Sequence, residues 1–571
     1  MSQRPLNIAF VWNQHQPFYK DTVKNEYFMP WVRLHGCKDY YQMASILREY
    51  PTIRATFNLT PALIEQIEDY LEGEAVDYYL LVMKPVRSLN NREKIFLLQH
   101  YFDIHWDRVI SRYPRYHQLL EKQGRKREPA HLEKIIGEFS NQDYLDLQVW
   151  FNLVWIDPEL REKDSFLRGL EEKGSNFTEE EKTALLSKQW NILSKIIPEH
   201  RELQDKGQIE VITTAYYHPI LPLLIDTDSA LRSAPGLSLP EKFAHPKDAL
   251  EQTKKAVDHY QECFGHKPYG FWPPEQAVSP EVITYLAGLD FKWTISDEEI
   301  LAKSLGTEIY RDEYGHVTNP QVLYQPYKVN INGKEISMIF RDQYLSDRIG
   351  FTYQHMSVND AVNDLHHRLH KIREHLDDHS GNYLVTISLD GENAWEWYSN
   401  DKKDFLHLLY QRLRDDPLLH TVTVNNYLAV NPPRQKINYL FTGSWVNHNL
   451  NRWIGTRNKN TMWEYLRRTR RDFQKELDAG TDPERIKKAR EGLFMAEGSD
   501  FAWWVDSTSY YLAAPFEALF RKHLSNVYKS LHLEVPQYLE EPILEAPDGE
   551  RRWQYDPLAG PAAMAPNLNQ R

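Results

Sequence analysis

An α/β fold built on a parallel sheet, open or closed into a barrel, is what this chain of 571 residues predicts. Short runs rich in β-branched and aromatic residues alternate with stretches whose apolar residues recur at helical period. Strands separated by helices lie side by side in parallel, with the helices returning over them. In that arrangement the functional groups gather at the C-terminal ends of the strands. Two long helical stretches interrupt the alternation and read as a wall and a second domain.

The first run is LNIAFVW (6–12), followed at once by HQP (15–17). IRATFNL (53–59) is the second. From about 62 to 205 the pattern is nearly all helical, with a Thr178/Glu181 capping box and an apolar face of Leu186, Trp190, Leu193 and Ile197. An insertion this long after a strand suits a lid or side wall over the site. QIEVITT (208–214) leads into YYHPILP, and YGFW (269–272) leads into WPPEQAVSP. FKWTIS (291–296), ISMIF (336–340) and YLVTISL (383–389) complete seven strands, with helical patterns at 248–262, 280–289, 358–376 and 402–414. Residues 1–435 are thus expected to form the barrel and its insertion, and 436–535 a helical domain contributing to the cleft. From Pro536 onward, six prolines in 36 residues mark a tail expected to wrap the surface or stay partly disordered.

Composition narrows the class. Hydrophobic residues at 41% and charged residues at 26% are ordinary for a soluble globular protein. The 16 Trp and 34 Tyr are less ordinary, and suit interfaces or stacking on sugar rings. A net charge of −13 argues against nucleic acid or an anionic membrane as the main partner. Cys37 and Cys263 are too few for a disulfide framework or a cysteine-based zinc site. No secretory leader is read at the N-terminus and no stretch approaches the ~20 apolar residues of a membrane helix, so a cytoplasmic protein is expected.

Two acids stand where chemistry is expected. Trp272-Pro273-Pro274 is stiff and extended, while Ser279 and Pro280 read as the N-cap and first position of a helix. Glu275 is therefore held on a rigid loop between a strand end and a helix start. In YLVTISLDGENAWEWY, Thr386, Ser388 and Asp390 share one face, opposite Val385, Ile387 and Leu389. That puts Asp390 at the end of a polar face, before the turn at Gly391. Alone, each acid reads as a solvated loop carboxylate or an Asp-Gly turn. Together they suit glycoside cleavage, in which one carboxylate attacks the anomeric carbon and the other protonates the leaving oxygen. Trp395 and Trp397 are expected to give the proton donor apolar surroundings.

Arg341, Asp342 and Asp347 follow the sixth strand and suit sugar hydroxyls or, equally, a structural ion-pair network. GSWVNHNLNRWIG and SDFAWWVDS offer Trp445, Trp453, Asp500, Trp503 and Trp504 as stacking or hydrogen-bonding groups, although Trp at helical spacing is more often core. His366 and His370, one turn apart in HHRLH, are compatible with metal ligands but sit in a helix dense in charge.

In order, HQP, YYHPI, FWPPEQA, LDGENAW and GSW…WIG resemble the motifs of glycoside hydrolase family 57. That resemblance implies an incomplete (β/α)7 barrel acting on α-glucans without a metal or other cofactor. It makes Glu275 the nucleophile and Asp390 the acid/base of a retaining mechanism, with His15, His218, Trp272 and Glu392 lining the cleft. RDQYLSDRIGF and SDFAWWV look most like the amylopullulanase-type branch, which acts on α-1,4 and sometimes α-1,6 links of starch-like glucans. The sequence departs from the pattern at Asn13, where members commonly carry a second histidine, at the basic and polar GTRNKN, and in FAWWVDS. Rival expectations are a 4-α-glucanotransferase or branching enzyme on the same scaffold, a metal-dependent polysaccharide deacetylase, and a non-catalytic glucan-binding protein.

Overall fold

The structure, a computed structural model, describes residues 4–546 apart from Asp378, Ser380 and Ala394. Each of the seven β-rich runs is a strand: β1 (Leu6–Gln14), β2 (Ala55–Leu59), β3 (Ile209–Ile212), β4 (Gly270–Phe271), β5 (Trp293–Asp297), β6 (Lys334–Arg341) and β7 (Leu384–Asp390). All their pairings are parallel: β7 with β1, β1 with β2, β2 with β3, β4 with β5, and β5 with β6. Two seams are thin. A single bridge, Thr213 to Phe271, joins β3 to β4. Between β6 and β7 the Asp342 N–H donates to the Thr386 carbonyl at 2.8 Å. The result is an incomplete (β/α)7 barrel. β4 is the shortest strand because Pro273 and Pro274 follow it and have no N–H to give a ladder.

Helices alternate with the strands outside the barrel: α1 (Pro61–Glu72), α2 (Pro246–Phe264), α3 (Pro280–Gly288), α4 (Val358–Leu376) and α5 (Lys403–Asp415). Among the described residues six short strands lay outside the sequence expectation, and three of them extend the barrel sheets. Tyr327–Ile331 runs antiparallel to β6, Gln435–Ile437 pairs with it, and Leu419–Thr421 lies beside the start of β1. The first had a legible signal. Asn332-Gly333 turns the hairpin with both residues at positive φ, as a two-residue turn requires.

The insertion is helical as expected, and Thr178 and Glu181 do form a reciprocal capping box. Its apolar face is rotated from the expected one. Lys182, Leu185, Gln189, Ile192 and Leu193 are buried, while Leu186, Trp190 and Ile197 are half-buried against other elements. The reason is polar. Gln189 accepts from Arg33 at 2.6 Å, and Lys182 donates to Gln148 at 2.9 Å, so charged and amide groups occupy the inner face. A second buried network ties the insertion to the chain after β7. The fully buried Lys402 ammonium reaches Asp157 at 2.8 Å, Asp39 at 3.1 Å and Asp401 at 3.2 Å. Buried charges persist only when paired this closely.

The C-terminal helices α6 (Arg457–Asp478), α7 (Pro483–Ala496), α8 (Asp500–Trp504) and α9 (Tyr510–Ser530) follow the barrel. The turn between α7 and α8 docks on the barrel mouth: Gly498 bridges Pro219, and the Ser499 N–H donates to the His218 carbonyl at 3.0 Å. Of the proline-rich tail, Gln537–Leu539 makes a 3-10 turn held by Arg521 donating to the Leu539 carbonyl at 2.9 Å. Residues 547–571 of that tail lie outside the described residues. No helix among the described residues is long and apolar enough to cross a membrane.

Candidate active site

Glu275 sits in a tight turn with φ 55° and ψ 26°, and Gln276 after it has φ 49°. Two successive left-handed residues without glycine cost about 1 kcal/mol or more each, so the surroundings must hold them. They do. Gln276 Nε2 donates to Ser388 Oγ at 3.0 Å, and Ser296 Oγ donates to the Gln276 carbonyl at 2.9 Å. The Trp445 N–H donates to the Glu275 carbonyl at 3.2 Å, and Val278 pairs with Gly443. Ser279 caps α3 as expected. The Gln276–Ser388 bond fastens this loop to β7, two residues before Asp390. It also shows that the polar face of β7 points into the barrel.

Asp390 ends β7 in register with Asn13 of β1. Asn13 Nδ2 donates to Asp390 Oδ1 at 2.8 Å, while Asn58 Nδ2 donates to Asn13 Oδ1 at 2.7 Å. The buried Asn58 thereby orients the Asn13 amide with its N–H group toward the acid. Asn13, where the family pattern has histidine, is a fixed neutral donor to Asp390. Gly391 is required next because a Cβ there would lie 2.9 Å from Gln14 Cγ and 3.2 Å from the Asn13 carbonyl.

The two acids influence each other. Burial first, then the charges of Asp390 and Asp500, push the Glu275 carboxyl up to about 8 against the opposing Trp445 N–H and Arg452 charge. Trp445 Nε1 donates to Glu275 Oε2 at 2.8 Å. Burial also raises Asp390, opposed by the Asn13 amide and by the His15 and Arg341 charges. The Asp390 side chain is open to solvent on the cleft side although walled by protein elsewhere, so its desolvation is completed only when a ligand fills the space. With Glu275 raised to about 8, the empty cleft keeps a proton on that acid at neutral pH.

Beside the pair lies a polar wall. His15 Nε2 is 2.8 Å from Asp500 Oδ1, its Nδ1 is 3.2 Å from Thr60 Oγ1, and its ring stacks on His218 at 3.8 Å. The His15 N–H donates to Glu392 Oε1 at 2.7 Å. His218 Nδ1 lies 2.9 Å from Ser499 Oγ, and its backbone has φ 57°. Burial, with the neighbouring His15, keeps His218 well below the usual imidazole range and so neutral. Its Nε2 is buried and has no hydrogen-bond partner among the described residues. His15, His218 and Asp500 bring donor atoms within 4.8 Å of one another, close enough for a metal ion. Stacking, Thr60 and Ser499 account for the arrangement without one.

The structure brings Glu275, Asp390, His15, His218, Glu392, Asp500 and Trp445 together. Other candidates fall elsewhere. Trp272, Trp395 and Trp453 are 0%, 0% and 1% exposed, so none offers a ring face to a sugar. Trp272 packs edge-on beneath Trp445, and Trp395 packs with Trp12, Tyr398 and Phe405. Trp395 donates Nε1–H to the Gly391 carbonyl at 2.9 Å, shaping the turn rather than drying the acid. Asp342 caps the helix after β6 and pairs with Arg311 at 3.0 Å, a structural role. Arg341 is buried on Asp297 at 2.7 Å with its guanidinium 4.8 Å over Trp445, and reaches the partly exposed Asp347 only at 3.8 Å. Trp503 and Trp504 are half-buried; Trp504 stacks on Phe516 at 4.8 Å, and the Arg452 guanidinium covers Trp503 at 4.2 Å. Sequence reasoning missed Asp297, one residue past its strand estimate, and Arg452, hidden between two Trp motifs.

A parallel barrel with two carboxylates at its strand ends, the charge of one raising the other, is an arrangement suited to glycoside cleavage. The family model for Glycosyl hydrolase family 57 matches residues 9–439, and the chain belongs to that family. Among curated relatives it is 27% identical over 110 residues to alpha-amylase 1 of Dictyoglomus thermophilum, covering 19% of this chain and 13% of the relative. It is 40% identical over 85 residues to a 1,4-alpha-glucan branching enzyme of Thermococcus kodakarensis, covering 15% and 10%. To a 4-alpha-glucanotransferase of the same organism it is 23% identical over 249 residues, covering 42% and 31%. The chain thus aligns with under a third of each relative's length. The fold is shared with the crystal structure of the T. kodakaraensis branching enzyme, at TM-score 0.57 and 17% identity over 94% of this chain and 93% of that one. AmyC, an alpha-amylase from Thermotoga maritima, aligns at TM-score 0.54 and 15% identity over 93% and 94%.

Proposed function

We propose that the protein cleaves α-1,4-glucosidic bonds of starch- or glycogen-like glucans by double displacement, and α-1,6 bonds also, as the amylopullulanase-like motifs imply. The observation that carries this reading is the joined pair: the loop of Glu275 is bonded to the strand of Asp390, and the charge of one raises the other. Glu275 attacks the anomeric carbon as its bond to the leaving oxygen breaks, and Asp390 delivers its proton to that oxygen. In the second step Asp390 takes a proton from the incoming hydroxyl, whose oxygen displaces Glu275. In the empty cleft burial favours the proton on Glu275. Positive charge developing at the anomeric carbon reverses that preference and leaves the proton on Asp390. His15, held by Asp500, and the unpartnered Nε2 of His218 suit the hydroxyls of the cleaved glucose, and residues 436–535 act as a domain that brings Asp500 and Trp445 to the cleft.

Transfer to a second glucan is the competing outcome, favoured by the Arg452–Trp503 stack, whose charge reaches Glu275, and by the 40% identical segment shared with a branching enzyme. Products from maltoheptaose, amylose and pullulan separate the two. Hydrolysis releases reducing ends in proportion to bonds broken, whereas transfer redistributes chain lengths without them. Absence of either outcome on all three glucans overturns the proposal.

The Trp445 donor gives a pH test. Its N–H favours ionised Glu275, so Trp445→Phe raises the Glu275 pKa and makes the productive protonation state rarer. The expected result is a roughly 10- to 100-fold loss in kcat/KM. The alkaline limb, where the last proton leaves the pair near pH 8 in the parent, moves to higher pH. A limb that moves down instead contradicts the assigned contact.

A further inference from the structure

We propose that His366, His370 and Asp416 form a binding site for a divalent transition metal of the zinc class, clipping α4 to the turn after α5. His366 and His370 lie one turn apart on α4, their Nε2 atoms 2.8 and 2.6 Å from the same oxygen, Asp416 Oδ2. The other carboxylate oxygen accepts the Leu418 N–H at 2.9 Å, which fixes the group and presents Oδ2 to the imidazoles. Among the described residues these imidazoles are the ion-pair partners recorded for Asp416, while the nearby Arg414 is engaged by Asp415 at 2.8 Å.

Two imidazoles and one carboxylate match the preferences of zinc and its neighbours. At ordinary zinc–ligand lengths, tetrahedral donor atoms stand roughly 3.3 Å apart, so the two contacts need open by only about 0.5 and 0.7 Å. The three side chains are 27%, 23% and 13% exposed, leaving the remaining coordination position open to water. The position excludes a role in glycoside cleavage. Leu419 pairs with Leu6 at the start of β1, whereas Asn13 and Asp390 lie at its other end, roughly 23 Å away along the strand. A deacetylase would need its metal beside the reacting bond, so His366 and His370 cannot serve that alternative. What the site joins is the pair of helices flanking β7, the strand that carries Asp390.

The full-length chain, stripped of metal with a chelator, should bind zinc with micromolar or tighter affinity and rise in melting temperature as zinc is added. Cobalt in its place should give the visible absorption of a four-coordinate ion. His370→Ala and Asp416→Asn should each weaken zinc binding about tenfold or more and abolish the absorption. Glucan cleavage should be the same with and without zinc. Failure to bind at about 100 micromolar zinc overturns the proposal. So does binding left unchanged by both substitutions, which would locate the ion at another cluster such as His15, His218 and Asp500.

Discussion

Glu275→Gln abolishes turnover on glucans, by roughly four orders of magnitude or more, while glucan binding survives. The amide keeps the shape of the carboxylate and can still accept the Trp445 N–H, so the loop has no reason to move. What it cannot do is form the covalent bond to the anomeric carbon. Substitution also removes the carboxyl that burial pushes up to about 8, so the variant should be no less stable than the parent at neutral pH. Initial rates on amylose and maltoheptaose, with affinity measured separately by calorimetry, check both halves. Glu275→Gly with azide identifies the face of attack. The small anion replaces the missing carboxylate and yields a β-linked glycosyl azide, opposite in configuration to the substrate. Parent-like turnover in the Gln variant, or an α-linked azide from the Gly variant, overturns the role.

Much of this site was legible because its signals are local. Proline restricts its own φ and the residue before it, and Ser279-Pro280 marks a helix start, so the rigid loop at Glu275 follows from a few consecutive residues. The seven strands were legible for the same reason. What failed was information carried by packing and register. Asn13 reads as a lost histidine until β1 is placed against β7; then it faces Asp390 and Asn58 holds its amide. By residue type and motif Trp272 read as lining the cleft, Trp395 as drying the proton donor and Trp453 as a stacking platform, but exposure depends on what lies over them, and other aromatics do. The insertion helix turned its polar Lys182 and Gln189 inward because partners waited on neighbouring helices. Asp500 and His15 are joined across nearly the whole chain, and no spacing rule connects them.

The second carboxylate separates chemistry from binding more sharply. Asp390→Asn removes the group that protonates the leaving oxygen and later activates the acceptor, and natural glucans should be cleaved about 100- to 10,000-fold more slowly. Malto-oligosides of a strongly acidic phenol leave without protonation, so their first step should stay fast. The glucosyl intermediate then accumulates as a burst of phenol equal to the enzyme present. Azide should relieve the block and give an α-linked product, since an anion needs no base to attack. The pH profile must change in a defined direction. The Asp390 charge is one of the causes raising Glu275, so its removal lowers the Glu275 pKa. The parent requires one proton on the pair and loses activity as that proton leaves near pH 8. The variant on the activated substrate needs only ionised Glu275, so its rate should rise with pH to a plateau without an alkaline limb. A burst that fails to appear, or an alkaline limb that persists in the variant, would place the proton donor on another residue, with the half-buried Glu392 carboxyl beside His15 the first to test.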